Sequence, residues 1–87
     1  METPEIMQAV REYVKSHFHV PEGDADFSDD VHLFNFGYVD SFGAMELTAF
    51  VMEHCSITIT PSDLIAHELN SIRQISTFAA KRKTGEL

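Results

Sequence analysis

The chain has 87 residues, of which 14 are Asp or Glu and only 6 are Lys or Arg, so its net charge is -8. This length fits one small domain and excludes a large enzyme fold with a deep pocket, while a hydrophobic content of 44% excludes a disordered chain. The negative charge disfavours nucleic acid and anionic membranes as ligands; it favours a basic protein partner, or serves simple solubility.

The first predicted helix runs from about residue 4 to residue 17. Thr3 is its candidate cap, Pro4 suits the first helical position, and Glu5 favours the positive end of the helix. Apolar side chains then recur at helical spacing, namely Ile6, Val10, Tyr13, Val14 and Phe18.

Residues 20–40 form a long connection that is rich in large apolar side chains: Phe27, Val31, Leu33, Phe34, Phe36, Tyr38 and Val39. Each such side chain contributes about 1.5–3 kcal/mol when it is fully buried. We therefore expect an ordered loop packed on the core rather than a linker. Gly37 is expected at a backbone turn that a Cβ atom would obstruct.

The second predicted helix spans about residues 42–54. Asp40 or Ser41 can cap its start, because a short side-chain oxygen accepts from free backbone N–H groups. The residues at core spacing are Leu47, Phe50, Val51 and Cys55. Gly43 is expected to weaken the first turn, since glycine costs about 1 kcal/mol relative to alanine inside a helix.

Residues 57–60 alternate Ile and Thr, a pattern that alone would predict a strand. Because no second strand is available to pair with it, we interpret this segment as an extended connector with both isoleucines pointing inward. A short third helix follows from Pro61 to about His67, and it is expected to bury Leu64 and Ile65.

The last predicted helix is capped by the pair Asn70 and Ser71. Its apolar stripe consists of Ile72, Ile75, Phe78 and Ala79, and its negative end is complemented by Lys81, Arg82 and Lys83. The predicted fold class is therefore all-α: a small four-helix bundle with a long first loop and a short third helix. We expect residues 1–87 to form a single domain with its core over about residues 4–80.

Few residue patterns point to catalysis or to metal binding. No motif for a nucleophile, a phosphate-binding loop or a zinc site is present. Five histidines, His17, His19, His32, His54 and His67, share no ligand spacing, which favours surface positions over a metal site. Cys55 lies four residues after Val51 on the predicted buried stripe, which favours packing over a reactive thiol.

Sequence features also indicate the cellular compartment. Cys55 is the only cysteine, so no internal disulfide can form and nothing suggests an oxidising compartment. No apolar run approaches the roughly 18 residues of a membrane span, and the acidic first residues do not resemble a secretory leader. We expect a cytoplasmic monomer that does not insert into a membrane.

Ser41 follows a loop and opens a helix, so its hydroxyl is expected to be exposed. A phosphate ester on this serine would lie in the field of the helix N-terminus, where free N–H groups stabilise negative charge. On local spacing alone, a plain capping serine is the simpler interpretation.

A longer run around Ser41 resembles a known family. Residues 33–42, Leu-Phe-Asn-Phe-Gly-Tyr-Val-Asp-Ser-Phe, resemble the L-F-x-x-G-x-[VIL]-D-S-[LF] signature of acyl carrier proteins. The similarity continues through Glu46-Leu47, residues 53–59 and residues 70–72, and it covers about residues 5–80.

This resemblance implies a carrier and not an enzyme. In the family, the signature serine carries 4′-phosphopantetheine, which implies Ser41, with Asp40 before it, as the attachment site. A phosphopantetheinyl transferase would supply the arm from coenzyme A, and the arm would hold an acyl or aminoacyl group as a thioester. The other partners implied are an activating ligase and a downstream transferase. They are expected to bind the outward face of the second helix: Phe42, Met45, Glu46, Ala49 and Glu53.

The subtype and the cargo stay open. Phe42-Gly43 and residues 61–64 resemble D-alanyl carrier proteins, whereas Cys55 and Ser56 replace the Phe and Gly that many family members have at this helix exit. An amino acid therefore competes with a fatty or polyketide acyl chain as the cargo. The alternative function is a carrier-like protein interaction module that is never modified.

Overall fold

The structure is a computed structural model that describes residues 2–86. It contains four helices in chain order, α1 (Thr3–His17), α2 (Ser41–Cys55), α3 (Pro61–Ala66) and α4 (Ile72–Thr84). Residues 2–86 contain no strand. The predicted all-α bundle with a long first loop and a short third helix is therefore confirmed. Residues 57–60 before α3 have no regular secondary structure, and Thr60 is extended, as expected.

The first helix packs mainly against α4, and its buried side chains are Ile6, Val10 and Val14. Its cap differs from the prediction, because Thr3 is already helical and Glu2 is the capping residue. The backbone N–H of Glu2 donates to the Glu5 carboxylate at 3.3 Å. The Glu5 carboxylate thus satisfies the N–H of the capping residue, as the third residue of a capping box does.

One apolar core joins the three long helices and the first loop. Its members from α2 and α4 are all at the predicted helical spacing, Leu47, Val51, Cys55, Ile72, Ile75, Phe78 and Ala79. Phe50, which the same spacing predicts for the core, is only half-buried and packs against it. Ile59 of the connector is buried and Ile57 is half-buried, so the inward orientation expected of both residues holds fully for only one of them.

The loop between α1 and α2 is ordered and packed on this core, as predicted. Val31, Leu33 and Val39 are buried in it, and the N–H of Leu33 donates to the Asn70 carbonyl at 2.9 Å. Gly37 has a φ of +79°, which a residue with a Cβ rarely adopts. Phe36 departs from the prediction, because 61% of its surface is exposed.

The third helix buries no residue at all. The expected burial of Leu64 and Ile65 is therefore wrong: Leu64 is 49% exposed and Ile65 is 88% exposed. Its start is well formed, since the Asp63 N–H donates to the Thr60 hydroxyl and the Thr60 N–H donates to the Asp63 carboxylate. A six-residue helix is too short to be stable alone, so contacts from elsewhere in the chain must hold it in place.

Candidate functional site

Ser41 is the first residue of α2, and its side chain is exposed. The capping role belongs to Asp40, whose carboxylate accepts a hydrogen bond from the Gly43 N–H at 2.7 Å. Of the two caps that the sequence allows, the structure therefore selects Asp40. The Ser41 hydroxyl is not needed to complete the helix start, so it is available at the surface.

The position of Ser41 also suits a negatively charged ester. The first N–H groups of an α-helix have no partner within the helix, and together with the helix dipole they favour an anion at this end. Helix α2 has 15 residues and no acidic residue in its first turn. A phosphate group on the exposed Ser41 would thus lie near the N–H groups that remain free, beside the Asp40 carboxylate, which already accepts from Gly43.

The outward face of α2 carries the expected apolar residues. Phe42 and Met45 are each 70% exposed, so neither contributes much to the core. Ala49 and Glu53 are also exposed. These four residues are thus available to a partner.

Glu46 is less available than expected. Its carboxylate lies 3.1 Å from Nε2 of His17, at the end of α1, and only 37% of its side chain is exposed. The His17 ring stacks on Tyr13, with 4.8 Å between the ring centroids, and Tyr13 in turn stacks on Phe50 at 4.2 Å. The contact between His17 and Glu46 joins residues 29 positions apart, so helical periodicity does not predict it.

The arginines divide the acidic residues into two groups. Three acidic side chains outside α2 are paired within the molecule, Asp29 with Arg11, Asp30 with Arg73, and Asp63 with Arg82. Glu53 is exposed, and it makes no ion pair with any other residue in 2–86. The arginines near the chain ends therefore pair with two acidic residues of the first loop and one of α3, and none of them pairs with Glu53 of α2.

An open cavity of about 600 Å³ lies beside Ser41, between α2, α3 and the connector. Its lining is almost entirely apolar: Phe34, Ser41, Ala44, Met45, Leu47, Thr48, Val51, Ile59, Leu64, Leu69 and Ile75. The Thr48 hydroxyl donates to the Ala44 carbonyl at 2.7 Å, so it is already satisfied within the helix. A chain of this length was not expected to enclose so much space.

Other candidate chemistry finds less support in the structure. Cys55 is completely buried, and burial raises the pKa of its thiol, with the Lys83 charge opposing that shift. No group of three or more potential metal ligands occurs among residues 2–86. Within the same residues, no helix has the length and apolar character needed to cross a membrane.

A small helical bundle with an exposed serine at the start of its second helix is the architecture of a carrier domain. The phosphopantetheine attachment site family matches residues 8–79, most of the chain. The chain therefore belongs to this family, whose members bind a covalently attached 4′-phosphopantetheine and are generally non-catalytic carriers. The family resemblance that the sequence suggests is confirmed. No curated protein matches the sequence.

Proposed function

We propose that Ser41 carries the 4′-phosphopantetheine arm and that the protein delivers an apolar acyl group on it. One observation carries the proposal: the exposed serine that opens α2 also lines an apolar cavity. The arm supplies a terminal thiol that holds the acyl group as a thioester. We further propose that the protein acts in the cytoplasm as a monomer.

Attachment of the arm requires no catalytic group from this chain. The Ser41 oxygen forms a bond to phosphorus, the diphosphate bond of coenzyme A breaks, and adenosine 3′,5′-bisphosphate leaves. A base on the transferase takes the serine proton. This chain only presents the serine to the transferase. The hydrogen bond from the Gly43 N–H to the Asp40 carboxylate fixes the first turn of α2 and leaves Ser41 exposed.

The cavity favours an apolar acyl group over an amino acid as the cargo. Its lining offers no carboxylate, and the Thr48 hydroxyl is used within α2. An ammonium group would lose its hydration there without gaining a charged partner, which is costly. An alkyl chain would bury apolar surface, at about 0.8 kcal/mol for each CH₂ group.

Partner enzymes are proposed to dock on α2. The exposed Phe42 and Met45 lie beside Ser41 in the sequence, and a flexible Met side chain adapts to several partners. Glu53, together with the part of Glu46 that His17 leaves exposed, would attract Lys or Arg on the partner and speed the encounter. Tethering then raises the effective concentration of the cargo at the partner's active site.

Intact mass tests the attachment site. Purified protein is incubated with coenzyme A and a broad-specificity phosphopantetheinyl transferase, and we expect a gain of one phosphopantetheinyl group. Ser41→Ala should show no gain, whereas Ser62→Ala, at another exposed serine in the first turn of a helix, should behave like the wild type. An unmodified wild-type protein would support the alternative of a carrier-like interaction module, whereas an equal gain on Ser41→Ala would mean that the arm is attached to another residue.

The intact mass of protein isolated from its native cell tests the cargo. An increment that matches an apolar acyl chain supports the proposal. A small aminoacyl increment would instead place the protein with D-alanyl-type carriers. The two results differ in mass and in the ninhydrin reaction of the group released by hydroxylamine.

A further inference from the structure

The third helix is held in place by polar contacts. It has six residues, none of them buried, and its two large apolar side chains, Leu64 and Ile65, are 49% and 88% exposed. A helix this short does not persist alone in water. The side chains that attach it to the bundle therefore decide where it lies.

Arg82, in the last turn of α4, makes this attachment. Its guanidinium donates to both carboxylate oxygens of Asp63, at 2.7 and 3.1 Å, and to the carbonyl of Thr58 at 3.0 Å. The pair is largely sheltered, since the Arg82 and Asp63 side chains are 23% and 13% exposed. The guanidinium also lies over the Phe78 ring, 4.9 Å from its centroid. One planar group thus fixes both α3 and the connector before it.

A neighbouring cation extends the same attachment. Lys83 Nζ donates to the carbonyl of Cys55, the last residue of α2, at 2.8 Å. The end of α4 therefore contacts the end of α2 at Cys55, the connector at Thr58 and α3 at Asp63. The acid that Arg82 contacts remains ionised, because hydrogen bonds from Arg82 and from the backbone of Thr60 hold the pKa of Asp63 well below its usual range.

The segment that Arg82 holds forms one wall of the cavity beside Ser41. Ile59 of the connector and Leu64 of α3 line that cavity, opposite Leu47 and Val51 of α2. Arg82 itself does not line it. A displacement of α3 would remove Leu64 from the wall without disturbing the core contacts of α1, α2 and α4.

We propose that Arg82 is a positioning residue for the cargo, acting through Asp63 and Thr58 to hold the cavity wall in place beside an acyl chain. The proposal rests on the proposed carrier function of Ser41. Its specific consequence is that Arg82 makes hydrolysis of the thioester depend on the length of the acyl chain, since only a long chain reaches the wall.

Hydrogen exchange of the unmodified protein tests the attachment of α3 without the arm. In Arg82→Gln, amides in residues 59–67 should exchange roughly fivefold faster or more, while those of α1 keep wild-type rates. Arg73→Gln is the matched control, because Arg73 also makes a two-bond contact, with Asp30, but on the first loop. Unchanged exchange in residues 59–67 of Arg82→Gln would overturn the proposal.

Thioester hydrolysis of the loaded protein tests the effect on cargo. A transferase supplied with acetyl- or octanoyl-coenzyme A attaches an acylated arm directly, and hydrolysis is followed by intact mass. The octanoyl thioester should hydrolyse more slowly than the acetyl thioester in the wild type and in Arg73→Gln. The ratio of the acetyl rate to the octanoyl rate should fall roughly threefold or more in Arg82→Gln. Arg82→Lys, which keeps the charge but not the planar fork, should lie in between.

The outcomes separate the two proposals. A missing mass gain on the wild type counts against Ser41 as the attachment site, and the exchange experiment still decides whether Arg82 holds α3. A normal mass gain with the same dependence on chain length in wild type and Arg82→Gln overturns the positioning role. If Arg82→Gln fails to fold, Arg82→Lys is compared with the wild type by the same two measurements.

Discussion

The ring of Phe18, one residue beyond the end of α1, packs directly against Gly43, which lies two residues after Ser41. A Cβ atom at position 43 would lie 2.6 Å from Cε1 of Phe18 and 3.2 Å from the Asp40 carboxylate. The Phe18 ring is itself confined by edge contacts with Tyr13 and His17. The residue after α1 thus packs on the first turn of α2, and the missing Cβ atom of Gly43 permits the Phe18 ring to lie this close to the helix backbone.

This contact reverses the expectation for Gly43, which helix propensity alone marks as a weak point. Gly43→Ala introduces an overpacked contact that costs about 1–3 kcal/mol, against at most about 1 kcal/mol of improved helix propensity. We expect a net loss of roughly 1 kcal/mol in the free energy of unfolding, measured by urea denaturation. A stabilised Gly43→Ala protein would contradict the packing.

A double-mutant cycle identifies the cause of that loss. Phe18→Leu removes the ring edge that the new methyl group would meet, so Gly43→Ala should cost less in the Phe18→Leu background than in the wild type. An identical cost in both backgrounds would assign the effect to the Asp40 cap instead of the ring.

The parts of the fold that sequence predicts are those encoded locally. Helical spacing places Ile6, Val10 and Val14 on one face of α1, and the same spacing finds the buried stripes of α2 and α4. Gly37 marks its turn because a positive φ favours glycine regardless of the surroundings. The exposure of Ser41 follows from its place between a loop and a helix.

The parts that sequence does not predict depend on contacts between distant residues. Leu64 and Ile65 are exposed, and the polar contact of α3 with Arg82 joins Asp63 to a residue 19 positions further along the chain. The contact between His17 and Glu46 spans 29 positions. Spacing rules describe one element at a time, so neither contact, nor the cavity between the elements, could be read from them. The roles of Ser41 and the α2 surface stay predictions that loading experiments must test.

Burial makes the Cys55 thiol a pH-dependent contributor to stability. Because its pKa is raised in the folded state above the ordinary value of 9.0, the thiolate forms more readily in the unfolded chain. The contribution of the buried thiol to the free energy of unfolding is complete below pH 9 and is lost as the pH rises through the folded-state pKa of Cys55. The free energy of unfolding should therefore fall more steeply above pH 9 in the wild type than in Cys55→Ala. Parallel curves for the two proteins would contradict the buried position.

The ion pair of Arg11 and Asp29 should act at the other end of the pH scale. Two hydrogen bonds from Arg11, at 2.7 and 2.9 Å, hold the pKa of Asp29 below its ordinary value of 3.8. The contribution of this ion pair to the free energy of unfolding is present above pH 3.8 and is lost as the pH falls through the folded-state pKa of Asp29. Asp29→Asn should lower the free energy of unfolding by about 1 kcal/mol at pH 7. When this free energy is measured as a function of pH, the values for the variant and the wild type should converge below about pH 4.

Asp30→Asn provides the control for this comparison. The pair of Asp30 with Arg73 is more exposed, with side chains at 66% and 55%, so solvent screens it more strongly and its loss should cost less. Equal costs for Asp29→Asn and Asp30→Asn would show that burial of the first pair adds nothing.

Glu53 is the acidic residue of α2 that the structure leaves freest for a partner, since Asp40 caps the helix and Glu46 contacts His17. Glu53→Lys should slow attachment of the arm by a phosphopantetheinyl transferase roughly two- to tenfold at low salt, chiefly through a slower encounter. The difference should shrink as salt is raised, because screening shortens the range of the charge. Glu22→Lys, at an exposed residue of the first loop, changes the net charge equally and should have less effect. If both variants slow attachment to the same extent, the net charge and not the α2 surface attracts the transferase.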